Sequence, residues 1–248
     1  MARRQSRKLA AMIRLLPLIF LLASNVIFAA AAPLAPPDTI AERVKPCLAC
    51  HTAEGRTGKN EYYPRLAGKP QGYLLNQLLN FRDGRRHNRA MNLLLQNLSD
   101  AYLAEIAGYF STQPLHYSSM QSPTPTSMPA KPTLITQGDP TRKIPACIAC
   151  HGKNLMGAAP NIPGLLGLPN DYVSAQMGAW KVATRRATAP DCMGEIARQL
   201  SEVEVHAVAS WLAAQPLLAN ARPAAALTDE LPQKCGSVPF TAATSAKP

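Results

Sequence analysis

The chain has 248 residues, with 26 Lys and Arg against 15 Asp and Glu, and a formal net charge of +11. Removing a leader that carries five basic and no acidic residues would lower this charge to about +6. So modest a surplus on an exported chain argues against a nucleic acid as partner, and favours an acidic protein or a membrane surface. The length is that of two domains of ordinary size.

The first 31 residues have the layout of a Sec-type signal peptide. A basic segment over residues 1–14 precedes an apolar run of 14 residues, and small residues follow at 29–32. This run is short for a membrane span and is weakened by Pro17. We predict cleavage near Ala31 and a periplasmic protein, either soluble or peripherally bound to the membrane. An uncleaved N-terminal anchor is the alternative.

A helical domain is predicted for residues 32–117. Thr39 and Glu42 fit a capping box that opens the first helix, which Pro46 should interrupt. Tyr73, at the start of a second helix, is followed on the same face by Gln77 and Phe81. The last helix is predicted to begin at Ser99.

A linker and a second domain follow. Residues 118–138 are rich in Pro, Ser and Thr, and such a composition predicts an extended linker. Residues 139–218 form the second domain, opened by Asp139 and interrupted by Pro145, with a last helix capped by Ser201 and Glu204. Residues 219–248 are a Pro- and Ala-rich tail. Because no alternating strand pattern is present, the predicted class is all-α.

The two domains are copies of one pattern. Cys47-Leu-Ala-Cys50-His51 recurs 100 residues later as Cys147-Ile-Ala-Cys150-His151. A Pro-x-Leu-x-Gly stretch, which begins at Pro64 and at Pro163, repeats at an offset of 99. A methionine and the Leu-Ser that opens the last helix repeat at an offset of 102. A period of this length indicates domain duplication.

Cys-x-x-Cys-His is the attachment sequence of a c-type haem. The two thiols can bond to the two vinyl groups of one porphyrin, and the next residue offers its imidazole to the iron. The predicted cofactors are therefore two covalent haems, bound through Cys47 and Cys50 and through Cys147 and Cys150. A redox dithiol or a zinc site would leave both histidines unused, and the dithiol would favour a βαβ pattern that is absent from the sequence.

The predicted axial ligands are His51 with Met91 in the first copy and His151 with Met193 in the second. Both methionines lie seven residues before the Leu-Ser of the last helix, whereas no pair of histidines aligns in this way. His/Met ligation raises the reduction potential of a haem. The other sulfur and imidazole side chains considered as ligands are His87, His116, Met156, Met177, Cys192 and His206.

The carbonyls of Pro64 and Pro163 are the predicted acceptors that orient the two imidazoles. A histidine that binds a metal usually donates its other ring N–H to such a group. A simple turn at these prolines is compatible with the same role.

With these motifs, the sequence resembles the cytochrome c4 family of di-haem class I cytochromes c from the bacterial periplasm. The resemblance covers residues 38–217 and rests on the two haem motifs and on the stretches around Tyr63–Gly84 and Met91–Phe110. It implies two haem domains related by a pseudo-twofold axis, with the haem propionates facing each other. It also implies electron delivery to a terminal haem–copper oxidase from a position near the membrane.

The second copy departs from the family pattern before its methionine. Family members keep Phe-Arg-x-Gly-x-Arg, as the first copy does from Phe81 to Arg86, whereas the second copy reads WKVATRRATAPDCM. Cys192 also has no counterpart, because Ala90 precedes Met91. The only other cysteine outside the haem motifs is Cys235, so we predict a Cys192–Cys235 disulfide that ties the tail across the second methionine.

Electron carriage between respiratory partners is the leading functional hypothesis, without substrate turnover. A haem subunit or electron acceptor of a periplasmic dehydrogenase is the alternative, and a di-haem enzyme such as a thiosulfate dehydrogenase or peroxidase is the third. Upstream, a quinol-oxidising complex or a dehydrogenase would supply electrons. Six arginines would steer an acidic partner, pair with haem propionates or form a solvated face: Arg82, Arg85, Arg86, Arg89, Arg185 and Arg186.

Overall fold

The computed structural model describes residues 37–51, 63–114, 128–216 and 222–238. From Asp38 onward the chain forms one compact unit. In the described ranges, the regular secondary structure is helical apart from one pair of two-residue strands, as the sequence predicted. None of the helices among the described residues has the length and apolar character needed to cross a bilayer.

The described residues of the first copy form five helices: α1 Ile40–Arg43, α2 Lys45–Leu48, α3 Gln71–Arg82, α4 Arg89–Leu95 and α5 Asp100–Thr112. The predicted interruption near Pro46 is present, because α1 ends at Arg43 and α2 begins at Lys45. Ser99 caps α5 by accepting a hydrogen bond from the backbone N–H of Tyr102, as predicted. Leu103, Ala107 and Phe110 of α5 form the centre of the first core, against α3.

The second copy repeats this order with α6 Thr133–Thr136, a 3-10 turn at Pro140–Arg142, α7 Cys147–His151, α8 Asn170–Lys181, α9 Cys192–Gln199 and α10 Glu202–Ala214. Helices α3 and α8 both have 12 residues, and α5 and α10 both have 13. The capping box of Ser201 and Glu204 is present as predicted. This agreement between the copies shows that the sequence repeat is a repeat of structure.

Two predictions differ from the structure here. The Pro-, Ser- and Thr-rich composition predicts a linker that includes residues 133–136, but these residues form α6, which begins directly after Pro132. Its apolar side chains Leu134 and Ile135 are buried in the second core. The helix expected after Asp139 is a single 3-10 turn. It ends at Arg142, and the positive φ of 56° at Lys143 then reverses the chain so that Ile144 can pair with Asp139.

A short strand pair lies between the haem motif and α8. Strand β1, Gly157–Ala158, pairs antiparallel with β2, Ile162–Pro163. Gly157 has a φ of 81°, and a Cβ there would lie 2.3 Å from the carbonyl oxygen of Ile162. Only glycine permits this close approach, which the sequence pattern did not reveal. The pair fixes the position of Pro163, whose carbonyl faces the haem motif.

Candidate functional site

Both motif histidines are buried and held by a proline carbonyl. His51 is 8% exposed and His151 is 7% exposed. The Nδ1 atoms of His51 and His151 lie 2.8 Å from the carbonyl oxygens of Pro64 and Pro163. Since a carbonyl can only accept, each Nδ1 carries the proton and each Nε2 is left with a lone pair for a metal.

The electrostatics favour the neutral form of these rings. Burial lowers the pKa of His51 and of His151, although the hydrogen bonds to Pro64 and Pro163 oppose the shift. Burial also raises the pKa of the Cys147 thiol to about 11. A neutral imidazole is the form that binds iron.

The second haem motif opens into a large apolar cavity. Its space, including the open mouth, amounts to about 1550 Å³. Cys147, Cys150, His151 and Met193 all line it. The structure therefore brings together the thiols, the imidazole and the sulfur that the sequence selected, with apolar walls from Leu168, Val173, Ile196, Leu200, Val208 and Leu212.

In the first copy, the described residues show the same components. Met91 lies in the first turn of α4, is half-buried, and packs against the first core together with Cys47. Asn88 caps this helix by accepting a hydrogen bond from the backbone N–H of Met91. Residues 52–62, which separate the haem motif from Tyr63 in the sequence, lie outside the described part of the chain.

The alternative ligands have different surroundings. His87 is exposed, and its backbone N–H donates to the carbonyl of Thr184. His206 is exposed on α10, and His116 lies outside the described residues. Met156 is buried away from the large cavity, whereas Met177 lines it from α8. Cys192 is bonded to Cys235, with their Cα atoms 5.3 Å apart, so the predicted disulfide is present.

Two buried arginines join the copies. The backbones of Arg86 and Arg185 form an antiparallel bridge, and their side chains are 8% and 6% exposed. The side-chain oxygen of Gln77 accepts hydrogen bonds from Arg86 at 2.8 Å and Arg185 at 3.2 Å. That of Gln176 accepts from Arg86 at 2.7 Å and Arg185 at 2.8 Å. The two copies thus contribute equivalent groups to one symmetric interface.

Aromatic rings support this pair. The Arg86 guanidinium lies 4.5 Å from the ring centre of Phe81, and that of Arg185 lies 3.7 Å from Trp180. Such stacking stabilises a cation where water is excluded. Burial, followed by repulsion from Arg86, lowers the pKa of Arg185 to about 10. The interface therefore holds an excess of positive charge.

Comparison with known proteins identifies the family. No model of a protein family matches the sequence. The cytochrome c4 of Pseudomonas aeruginosa is 34% identical, over 67% of this chain and 82% of its own. The chain belongs to the cytochrome c4 family. A second relative, the thiosulfate dehydrogenase electron acceptor of Thiomonas intermedia, is 40% identical over 74% of this chain and 82% of its own.

A solved structure extends the likeness. The thiosulfate dehydrogenase TsdBA from Marichromatium purpuratum superposes with a TM-score of 0.58 at 32% identity. The match covers 68% of this chain and 36% of that one, so this cytochrome c4 homologue corresponds to about a third of the larger protein. The chain is a di-haem c-type cytochrome of class I fold, and its function is electron transfer.

The residues of the second cavity fit a haem. An apolar disc with two carboxylates needs apolar walls and a cationic edge. Lys69 and Arg185 supply positive charge at the cavity, and Lys69 comes from the first copy. Within the described residues, the indole Nε1 of Trp180 is the buried side-chain nitrogen that lacks a hydrogen-bond partner. This N–H, together with the two cations, is suited to a haem carboxylate.

The sequence analysis did not identify Lys69 as a residue of the second site. Replacing Lys69 with Met is expected to lower the reduction potential of the second haem. Loss of a positive charge favours the oxidised iron. As an order of magnitude, two unit charges about 10 Å apart at an effective dielectric constant of about 20 interact by about 1.7 kcal/mol, or about 70 mV for one electron. Titration of the holoprotein by spectroelectrochemistry measures this shift.

The same substitution should also remove a pH dependence. Burial, followed by repulsion from Arg65, Arg86 and Arg185, lowers the pKa of Lys69 to about 7, and haem carboxylates oppose that shift. The ammonium is charged below its pKa, so the native potential should fall as the pH rises through the pKa that Lys69 has in the holoprotein. Lys131→Met, at an exposed lysine over Trp211, is the control and should leave both potentials unchanged. An equal shift in the control would contradict this role of Lys69.

Proposed function

We propose that this cytochrome accepts single electrons from a thiosulfate-oxidising dehydrogenase in the periplasm and passes them towards a terminal haem–copper oxidase. The observation that carries the proposal is the 40% identity to a thiosulfate dehydrogenase electron acceptor. The likeness to part of a thiosulfate dehydrogenase chain supports it, because that protein joins a domain pair of this kind to a longer chain. The dehydrogenase is thus favoured over a quinol-oxidising complex as the donor.

The residues assigned to this role are those of the repeat. Cys47 and Cys50 hold the first haem, and Cys147 and Cys150 hold the second. His51 with Met91, and His151 with Met193, are the proposed axial ligands, oriented by Pro64 and Pro163. Two firm axial ligands keep the iron closed to substrates, which suits electron transfer better than turnover.

The proposed location is the periplasm, after removal of residues 1–31. These residues lie outside the described part of the chain, and the proposal rests on their basic and apolar pattern. The proposed domain limits are 32–117 and 139–218, with α6 added to the second domain. The C-terminal tail begins at residue 219.

Anaerobic mixing tests this function. The oxidised holoprotein is mixed with a catalytic amount of a thiosulfate dehydrogenase and with thiosulfate as the sole reductant. We expect complete reduction of both haems, followed by reoxidation when a haem–copper oxidase is supplied. The control omits the dehydrogenase and should show no reduction.

Two outcomes would contradict the proposal. Reduction by thiosulfate alone would make the chain itself the enzyme. Failure of the dehydrogenase to reduce it, while a quinol-oxidising complex does so, would give the role of donor to that complex.

A further inference from the structure

A C-terminal segment of the same chain, which is not part of the repeat, packs against the second copy. Residues 222–238, here called the strap, return from the end of α10 to the haem cavity. At one end, Ala224 donates to the carbonyl of Gly157 at 2.9 Å and accepts from the N–H of Ala159 at 2.8 Å. The strap thus joins the strand pair that fixes Pro163.

The other end of the strap is fixed beside Met193. Cys235, only 9% exposed, is bonded to Cys192, the residue before the methionine. The backbone N–H of Gly236 donates to the carbonyl of Pro190 at 2.9 Å. A Cβ on Gly236 would lie 2.2 Å from the carbonyl oxygen of Ala189, so the strap lies in close contact with the residues that lead into α9.

The C-terminal half of the strap forms part of the cavity wall. Leu231, Gln233, Cys235 and Val238 line the cavity that also contains Met193 and His151. Gln233 donates to the carbonyl of Cys192 at 3.3 Å. The first copy is also attached, because Asn76 of α3 donates to the carbonyl of Ser237 at 2.8 Å.

The methionine helix of the first copy lacks this bond. Ala90 stands where Cys192 stands in the second copy. Two leucines on the same helix as Met91 are open to solvent, Leu93 at 65% and Leu94 at 55%. The two methionine helices therefore have different surroundings although their sequences are related.

We propose that the strap is a positioning element of the second haem site, which holds α9 and Met193 at the iron and closes this edge to small external ligands. The inference rests on the proposed role of Met193 as an axial ligand. A segment fixed at both ends lowers the frequency of local opening, because its contacts must break before α9 can move away. A bond closing a loop of this length adds to that constraint.

Carbon monoxide binding to the reduced holoprotein tests the strap, because this ligand binds ferrous haem only after the methionine leaves. We compare the native chain with C192A/C235A, which also recreates the Ala-Met pair of the first copy. The double variant is expected to bind carbon monoxide at the second haem about tenfold faster. The first haem is the internal control and should keep its native rate.

A second variant protects the test against misfolding of the first. A chain that ends at Ala221 and carries Cys192→Ala lacks the strap and leaves no unpaired thiol. It should bind carbon monoxide at least as fast as the double variant. Gln233→Ala removes one strap contact while keeping the disulfide, and a change smaller than that of the double variant is expected.

The outcomes separate this inference from the proposed function. If the oxidised native protein lacks the near-infrared sulfur–iron band of one haem, the ligand assignment fails whatever the strap does. If both bands are present but neither C192A/C235A nor the chain that ends at Ala221 binds carbon monoxide faster than the native chain, the strap has no positioning role. Faster binding confined to the second haem supports it.

Discussion

A holoprotein with Cys147→Ser and Cys150→Ser is expected to carry one haem instead of two. Thioether bonds to both cysteines are the proposed attachment of the second haem, and serine cannot form them. The intact mass should fall by one haem, and the visible absorbance should fall by half. Mass spectrometry of the exported protein measures both losses together with the absorption spectrum.

The same variant should lose the fold of its second copy. The second cavity is lined by core side chains such as Leu168, Val208 and Leu212, and without the cofactor these walls lose the group against which they would pack. Empty space of even one side chain costs several kcal/mol in a core. Differential scanning calorimetry should therefore show a smaller cooperative transition. C192A/C235A is the matched control, because it removes two cysteines outside the haem motifs and should retain two haems. Two haems in the serine variant would contradict the assignment.

Replacing Met193 with Ala, or Met91 with Ala, is expected to halve the near-infrared sulfur–iron band of the oxidised protein. Each methionine is the proposed sulfur ligand of one haem, and each substitution leaves the other haem intact. The potential of the affected haem should fall, since the thioether favours the reduced iron. Optical and potentiometric titrations measure the two effects.

Met177 supplies the matched control for the second site. It lines the same cavity from α8 and has the same side chain. Met177→Ala should weaken packing by about 2 kcal/mol or more while leaving the full band. A band lost with Met177→Ala and kept with Met193→Ala would reverse the ligand assignment.

The repeat allowed two candidate haem sites to be proposed from the sequence. A covalent motif has fixed spacing, so Cys147, Cys150 and His151 could be recognised without a structure. The equal distance from Met91 and Met193 to the last helix selected these two among many sulfur and imidazole side chains. The cysteine count then left Cys192 and Cys235 as one pair, which the structure joins.

The arginines show what the sequence could not decide. The sequence allowed the same roles for all six arginines. In the structure, Arg86 and Arg185 are buried at the interface, whereas Arg89 and Arg186 are exposed. Arg82 forms salt bridges to Asp83 and Asp100. Whether an arginine meets a partner depends on how the two copies pack, and this contact joins residues 99 positions apart. The arginine at position 185 also shows that the altered second-copy segment keeps the interface contact.

The roles of the strap and of Lys69 could not be predicted from the sequence, because they also depend on contacts between distant segments. Lys69 belongs to the first copy but lines the cavity of the second, where Leu168 stands at the equivalent repeat position. In the sequence, Cys235 was the only residue that connected the tail with the segment around Met193. Its strand-like contact at Ala224 and its bond to Asn76 come from backbone groups, which carry no residue signature.

The most direct test of the central claim is an anaerobic redox titration of the native oxidised holoprotein, followed in the near infrared. Two electron-carrying haems with methionine ligands predict the uptake of two electrons per chain. They also predict a sulfur–iron band with the intensity of two such haems, which disappears in proportion to the electrons added. Uptake of one electron, or a band with half of that intensity, would contradict the account.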